Sequence, residues 1–296
     1  MPAPGRMHAD EVDTDEALVA RLVAAQHPQW AALPVTHLSS AGTDNAIYRL
    51  GTDLVARLPR IASVSQGIAH EWQWLRHLAP LLPVDVPEPV ALGEPGDGYP
   101  FPWSVCRYVA GDNPGPATTG PALVDDLTSF LRHFHGLDPA AAPLRSRVRL
   151  ADRDDQVLSC IDEVADLVDA PEVAAAWAVL RDTPPAELPG PWVHGDITAG
   201  NLLVRGGRLS GVLDFSGVGR GDPATDLGVA WNLLTPPLRA RLRRQLQVDE
   251  ETWRRSAGWS LSQALIQLPY YRETNLPLAA NARHVIAETV PWALAL

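Results

Sequence analysis

The segment WVHGDITAGNLLVRGGRLSGVLDFSGVGRGDPATDLG, residues 192–228, decides how the rest of the chain is read. It opens with His194-Gly195-Asp196 and has Asn201 five positions after that aspartate. The apolar run Leu202-Leu203-Val204, a Gly206-Gly207 pair, Val212-Leu213 and Asp214 then follow. Two short strands closed by a glycine turn would carry Asn201 and Asp214 back toward each other. Phosphoryl transfer to an alcohol needs a carboxylate to orient or accept the hydroxyl proton, and oxygen ligands for the magnesium that bridges the phosphates. Asp196 fits the first task. Asn201 and Asp214 fit the second, because Mg²⁺ is content with one or two protein oxygens beside phosphate and water. Turn chemistry on its own would require His194, Asp196 or Asn201 singly, but not the ordered set.

The pattern His-x-Asp-x-x-x-x-Asn, followed by an apolar-Asp-Phe element, is the kinase catalytic set, with Leu213-Asp214-Phe215 in the place of Asp-Phe-Gly. With Gly195 between His and Asp, and with Asp222-Pro223-x-x-Asp226-Leu227 downstream, the segment resembles the aminoglycoside phosphotransferase family of small-molecule kinases, including its macrolide branch. The resemblance implies an α+β, protein-kinase-like two-lobed fold. A small, mostly β N-terminal lobe would span residues 1–109, with an accessory helix, a sheet, a phosphate loop and one long helix. A larger helical lobe, 110–296, would carry the catalytic and metal-binding loops and the acceptor site. The resemblance also implies ATP or GTP as donor, Mg²⁺, and a small-molecule hydroxyl acceptor. An aminoglycoside-type antibiotic is the first reading of that acceptor; a macrolide and a metabolite alcohol such as an amino alcohol or sugar are the alternatives. Of another class is an inactive nucleotide-binding pseudokinase. His194, Asp222 and Asp226 are assigned by the resemblance to bracing the catalytic loop.

A chain of 296 residues with 46% hydrophobic content can bury the cores of two lobes. No apolar run approaches bilayer length, and the first residues contain no apolar leader, so a cytoplasmic location is expected. Two cysteines, Cys106 and Cys160, are too few and too far apart for a disulfide framework or a metal knuckle. A net charge of −11 disfavours nucleic acid and anionic membranes as partners and is compatible with a cationic ligand. A monomer or weak homodimer is expected. All 24 strong bases are arginine.

Taken in order, the chain predicts a helix from about Asp15 to Gln26, capped by Asp13 or Thr14, with Leu18, Leu22 and Val23 on one face. His37–Leu50 reads as strand, turn, strand. Its turn, Ser39-Ser40-Ala41-Gly42-Thr43, can offer backbone N–H groups and hydroxyls to phosphate oxygens, although an ordinary hairpin loop would use the same residues. In the strand that follows, Val55 and Arg57 share one face by the period of two, and Leu54, Ala56 and Leu58 the other. That puts a valine able to lie over adenine beside a cation able to reach phosphate. Kinases commonly place a lysine where this chain has Arg57, whose planar fork is not equivalent to a point charge.

The helix predicted over Ser65–Leu78 puts Glu71 on an apolar stripe with Ile68, Trp72, Leu75 and Leu78. A carboxylate there needs a cation, and Arg57 is the candidate for an ion pair that would serve the α- and β-phosphates. In the kinase arrangement the strand Trp103–Val109 leads between lobes, and backbone near Tyr108 and Val109 would meet the adenine edge. A helix is predicted from Pro121 to His135 with Gly136 as its stop. His133 and His135 lack metal-ligand partners at suitable spacing and are read as structural. The acidic run Asp152–Glu172 is read as one helix whose acids are either a solvated face or a wall for an amine-bearing acceptor. Beyond residue 237, helices are predicted over Leu238–Leu246, Glu250–Ile266 and Ala279–Val290, with Leu268–Tyr271 as a connection.

Overall fold

Burial alternates along Asn45–Leu50 and is complete along Leu54–Pro59, which distinguishes a strand with one wetter face from a central one covered on both. These are β2 and β3 of a five-stranded antiparallel sheet that also contains β1 (Val35–Leu38), β4 (Pro89–Gly93) and β5 (Trp103–Arg107), in the order β1-β2-β3-β5-β4. The computed structural model describes residues 10–38, 44–145 and 149–296. Its chain divides into two units, residues 1–111 with 211–216, and residues 112–210 with 217–296.

In the first unit, helix α1 (Glu16–Gln26) lays Leu18, Val19, Leu22 and Val23 on the sheet face that presents Tyr48, Leu50, Leu54, Ala56 and Leu58. Its N-cap is Asp15, one residue later than expected. The Asp15 carboxylate accepts the Leu18 N–H at 2.7 Å, while the Thr14 hydroxyl is engaged by the Tyr48 hydroxyl at 2.9 Å. The opposite sheet face carries Val55 and Arg57, which pair in register with Cys106 and Ser104 of β5. A single turn, α2 (Ala62–Ser65), precedes α3 (Gly67–Leu78), which buries Ile68, Glu71, Leu75 and Leu78. Residues 211–216 join this unit through a parallel bridge of Gly211 to Asp85 and a Val212 N–H bond to the Asp85 carbonyl at 3.0 Å.

The second unit is helical. Helix α4 (Pro121–His135) has proline in its first turn, buries Leu123, Leu127, Phe130, Leu131 and Phe134, and is capped by Gly136, as its sequence predicts. The acidic run is not one helix. It divides into the end of a 3₁₀ turn (Leu150–Arg153), α5 (Asp154–Glu163) and the start of α6 (Ala170–Arg181), and Asp169 caps the last of these by accepting the Glu172 N–H. Two short strand pairs follow, β6 (Trp192–Val193) with β9 (Gly219–Arg220), and β7 (Leu202–Arg205) with β8 (Arg208–Val212). Helices α7 (Val229–Asn232), α8 (Pro236–Leu246), α9 (Glu250–Tyr271) and α10 (Leu276–Leu294) complete the unit. Leu268–Tyr271 is therefore the last turn of α9 and not a connection, with Pro269 inside the helix. Among the described residues no helix is long and apolar enough to cross a membrane.

Candidate active site

The first unit holds one half of the predicted constellation. Arg57 is 8% exposed and Glu71 4%, and the Arg57 Nη1 donates to Glu71 Oε1 at 2.6 Å. The apolar stripe that buries Glu71 thus brings it to the one cation on the facing strand. Burial acts to lower the Arg57 pKa, but the charges of Glu71 and Asp214 and the hydrogen bond to Glu71 outweigh it and raise the value, so the guanidinium stays charged. The same Glu71 Oε1 accepts the N–H of Phe215 at 3.3 Å. One carboxylate therefore ties β3 to the Asp214-Phe215 element. Asp214 has φ +61°, a left-handed conformation unusual for a residue with a Cβ, and its Oδ1 accepts the Ser216 N–H at 3.3 Å.

Val55 is buried on the face it shares with Arg57. The Tyr108 N–H is committed to the Asp53 carbonyl at 2.8 Å, and the Arg49 guanidinium lies over the Tyr108 ring, 3.2 Å from its centroid. The Tyr108 N–H thus continues the sheet and is not available to a ligand. The Cys106 thiol is pushed up to about 11, chiefly by burial, and so stays protonated beside Arg57. Ser39, Ser40, Gly42 and Thr43, the expected phosphate loop, lie outside the described residues.

The second unit holds the other half. Strand β6 pairs with β9, Trp192 opposite Arg220 and Val193 opposite Gly219, and delivers the chain directly into His194. His194 is fully buried, and its Nδ1 accepts the Asp196 N–H at 3.2 Å. Asn201 turns back on the aspartate. Its Nδ2 donates to the Asp196 carbonyl at 3.0 Å and to the Asp196 carboxylate at 2.8 Å. With the amide N–H₂ so engaged, the Asn201 Oδ1 accepts no hydrogen bond among the described residues. Hard oxygen donors of this kind, an amide carbonyl here and a carboxylate at Asp214, suit Mg²⁺. Among the described residues there is no cluster of three or more His, Cys, Asp or Glu side chains able to hold a metal.

Asp226, fully buried, accepts the N–H groups of His194 at 3.1 Å and Gly195 at 2.6 Å, and meets His135 Nε2 at 2.9 Å. Burial pushes its pKa up, yet the His135 hydrogen bond, the charges of His135 and His194 and the Gly195 N–H hold it below the ordinary carboxylate value. Asp222 is placed differently from expectation. Its carboxylate caps its own turn through Ala224 N–H at 3.0 Å and takes the Arg255 Nε at 2.8 Å, because α9 presents a buried guanidinium at that level.

Three residues at this loop carried no sequence signal. Asn113 Nδ2 lies within 3.2 Å of the carbonyls of Ala199, Gly200 and Leu202, and the Asn232 Oδ1 accepts the Ala199 N–H at 3.1 Å. Arg145 Nη1 donates to the His194 carbonyl at 3.0 Å. The chain is irregular around Asn113 and Arg145, so neither helical nor strand periodicity marks them. Elsewhere in this unit a cavity of about 240 Å³ is lined by Leu150, Pro185, Leu188 and Trp259 together with the charged Arg149, Asp222 and Arg255. Three of the eight acids of the 152–172 run are in ion pairs: Asp152 with Arg149, Asp154, which also accepts the Trp177 N–H, with Arg181, and Asp166 with Arg272.

Comparison with known proteins agrees with this geometry. Over 139 residues the chain is 30% identical to an aminoglycoside 3'-phosphotransferase of Escherichia coli, covering 44% of this chain and 51% of that protein, so it matches about half the length of this relative. The solved GDP complex of aminoglycoside 2'-phosphotransferase-IIIa superposes with a TM-score of 0.69 at 17% identity, over 94% of this chain and 99% of that one. The apoenzyme of macrolide 2'-phosphotransferase MphH from Brachybacterium faecium does so with a TM-score of 0.61 at 21% identity, over 94% and 99%. The α+β fold is therefore that of the aminoglycoside and macrolide phosphotransferases. A model of the phosphotransferase enzyme family (APH) matches residues 35–259, and the chain belongs to that family.

Proposed function

We propose that this protein is a small-molecule kinase that moves the γ-phosphate of ATP or GTP to a hydroxyl group of an antibiotic-type acceptor. The observation that carries the reading is the Asp196–Asn201 pair. The amide donates to the carboxylate at 2.8 Å, which ties the proposed proton acceptor and the proposed cation ligand together in one loop. In this reading Asp196 orients the acceptor hydroxyl and takes its proton as the oxygen attacks. Asn201 Oδ1 and the Asp214 carboxylate are the ligands for Mg²⁺, which when bound neutralises charge on the phosphate oxygens. Arg57, steadied by Glu71, faces the α- and β-phosphates, and Val55 and Val109 border the adenine. Residues 39–43 cover the phosphates. His194 and Asp226 keep the loop backbone in place. The protein acts on dissolved ligands without nucleic acid or membrane.

For the acceptor, the stretch shared with an aminoglycoside 3'-phosphotransferase and the acidic net charge support an aminoglycoside. A macrolide is the second reading: a macrolide 2'-phosphotransferase shares the fold, and three acids that could attract amines, Asp152, Asp154 and Asp166, are paired with arginines. Mg-ATP turnover by purified protein against kanamycin, streptomycin and a macrolide separates the two. Turnover with one class is expected, and Asp196→Asn should lower kcat by about 10²-fold or more while ADP affinity holds. Wild-type rates in Asp196→Asn would remove Asp196 from the role, and ADP binding without any turnover would leave a nucleotide-binding module.

A further inference from the structure

The segment Gly217-Val218-Gly219-Arg220-Gly221 places glycine at every second position, Gly217 in a turn and Gly219 in β9, and so leaves it poor in side chains. Against this segment lies Arg145. The chain before it runs along β9: Arg220 N–H donates to the Pro143 carbonyl at 2.7 Å, and Arg145 N–H to the Arg220 carbonyl at 3.1 Å. A Cβ added at Gly219 would meet the Pro143 carbonyl at 2.8 Å and the Arg145 Cγ at 3.0 Å, and one at Gly221 would meet Val193 Cγ2 at 3.0 Å and the Arg145 Cδ at 3.3 Å. At the far end, a Cβ at Gly217 would lie 3.2 Å from Nη1. The stem of the arginine is thus laid in a groove made by the missing side chains.

The head of that side chain reaches the catalytic loop. Nη1 donates to the His194 carbonyl at 3.0 Å and also to the Gly217 carbonyl. A Cβ on Gly195 would overlap the guanidinium outright, and Gly195 has φ +85°, which a side chain would also oppose. The Asp226 and Asp196 carboxylates supply the negative charge that this partly buried cation faces. His-x-Asp kinases of the His-Arg-Asp type carry an arginine at the position of Gly195. In this chain the equivalent cation comes from a different part of the sequence.

We propose that Arg145 is a positioning residue for the proposed phosphoryl transfer: its guanidinium fills the place of the absent residue-195 side chain and locks the His194–Asp196 turn to the strand that follows Asp214. Its effect is transmitted through the His194 carbonyl, whose orientation sets the left-handed step at Gly195 and hence the direction of the Asp196 carboxylate. Gly195 and Gly217 are then kept bare by the arginine head, and Gly219 and Gly221 by its stem together with Pro143 and Val193.

The role rests on the kinase reading, and the test is arranged so that the two can fail apart. Arg145→Met keeps the stem in the groove but removes the charge and both donated bonds, and Arg145→Lys restores a charge. Full-length variants are compared for kcat and KM in Mg-ATP turnover with kanamycin and a macrolide, for ADP affinity, and for amide hydrogen exchange over residues 194–201 and 217–221. The expected result for Arg145→Met is a kcat lower by about 10- to 100-fold. KM for ATP and ADP affinity should stay within about twofold, with faster exchange confined to the two segments and partial recovery in Arg145→Lys. Wild-type kcat and exchange in Arg145→Met would overturn the proposal, as would equal losses in Met and Lys variants together with faster exchange throughout the chain. If Arg145→Met does not fold, Gly195→Ala, which evicts the guanidinium, should give the same confined change in exchange, and an undisturbed loop there would equally overturn it. A wild-type protein with no turnover would count against the kinase reading alone, since the exchange data still decide the part played by Arg145.

Discussion

Arg57 and Glu71 show what a buried ion pair does when a third group depends on it. Glu71 receives both the Arg57 guanidinium and the Phe215 N–H, so its loss would leave a buried cation and free the chain beside Asp214. Removing one partner of such a pair costs about 3–5 kcal/mol, much more than replacing both by apolar residues of similar size. Arg57→Ala and Glu71→Ala should each lose about that much stability in urea unfolding, whereas Arg57→Met with Glu71→Leu should recover most of it. In the kinase reading the double variant still binds nucleotide weakly, which separates the stability role from the phosphate role; undiminished ADP affinity would leave Arg57 a structural residue only. This pair was legible in the sequence because Glu71 interrupts an apolar stripe, a conflict that only a cation resolves. Arg145 and Asn113 were not legible, since each acts from an irregular segment through backbone carbonyls that any residue possesses. Asp222 was misread for the opposite reason: its motif neighbour Asp226 does hold the loop, and spacing alone cannot tell that Arg255 would claim the other carboxylate.

At the level of elements, the segments that read most accurately are those whose periodicity and end signals agree. Helix α4 has proline at its start, six buried apolar residues along one face, and glycine at its end, and its limits follow from these. The acidic run failed because apolar spacing continued through Val164 and Val168 although the helix ends at Glu163. The backbone turns there and restarts at the Asp169 cap. Helix α9 failed the other way. Pro269 suggested a break near Leu268, but Asp249 caps the helix through the Thr252 N–H and hydroxyl, and Leu265, Leu268 and Tyr271 are buried on both sides of the proline. Packing overrides the local cost. The ring still denies the Leu265 carbonyl its N–H partner, so Pro269→Ala should stabilise the protein by about 1–3 kcal/mol, read as a higher urea midpoint with an unchanged m-value. A lower midpoint would mean that the bend at Pro269 is needed to seat the last turn of α9.

On the scale of the whole molecule, the proposed ligand set draws on both units, with Val55, Arg57 and Asp214 in the first and Asp196 and Asn201 in the second. Linkage turns that division into a measurement. A ligand that binds only the folded protein stabilises it by about 2.7 kcal/mol at 100 times its Kd. For a chain of 296 residues unfolding as one, this is a rise in Tm of about 4 °C. If the units unfold separately, a nucleotide held by the first unit alone should move one transition, and Mg-ADP held by ligands from both should move the two together. In the kinase reading proposed above, Mg-ADP is expected to move both transitions and ADP with EDTA mainly one. Asn201→Ala and Asp214→Asn should each abolish the magnesium-dependent part and leave the remainder. Since Asn201 also holds the Asp196 carboxylate, its variant should lose turnover as well as the magnesium increment, whereas a lost increment with full turnover would assign the metal elsewhere.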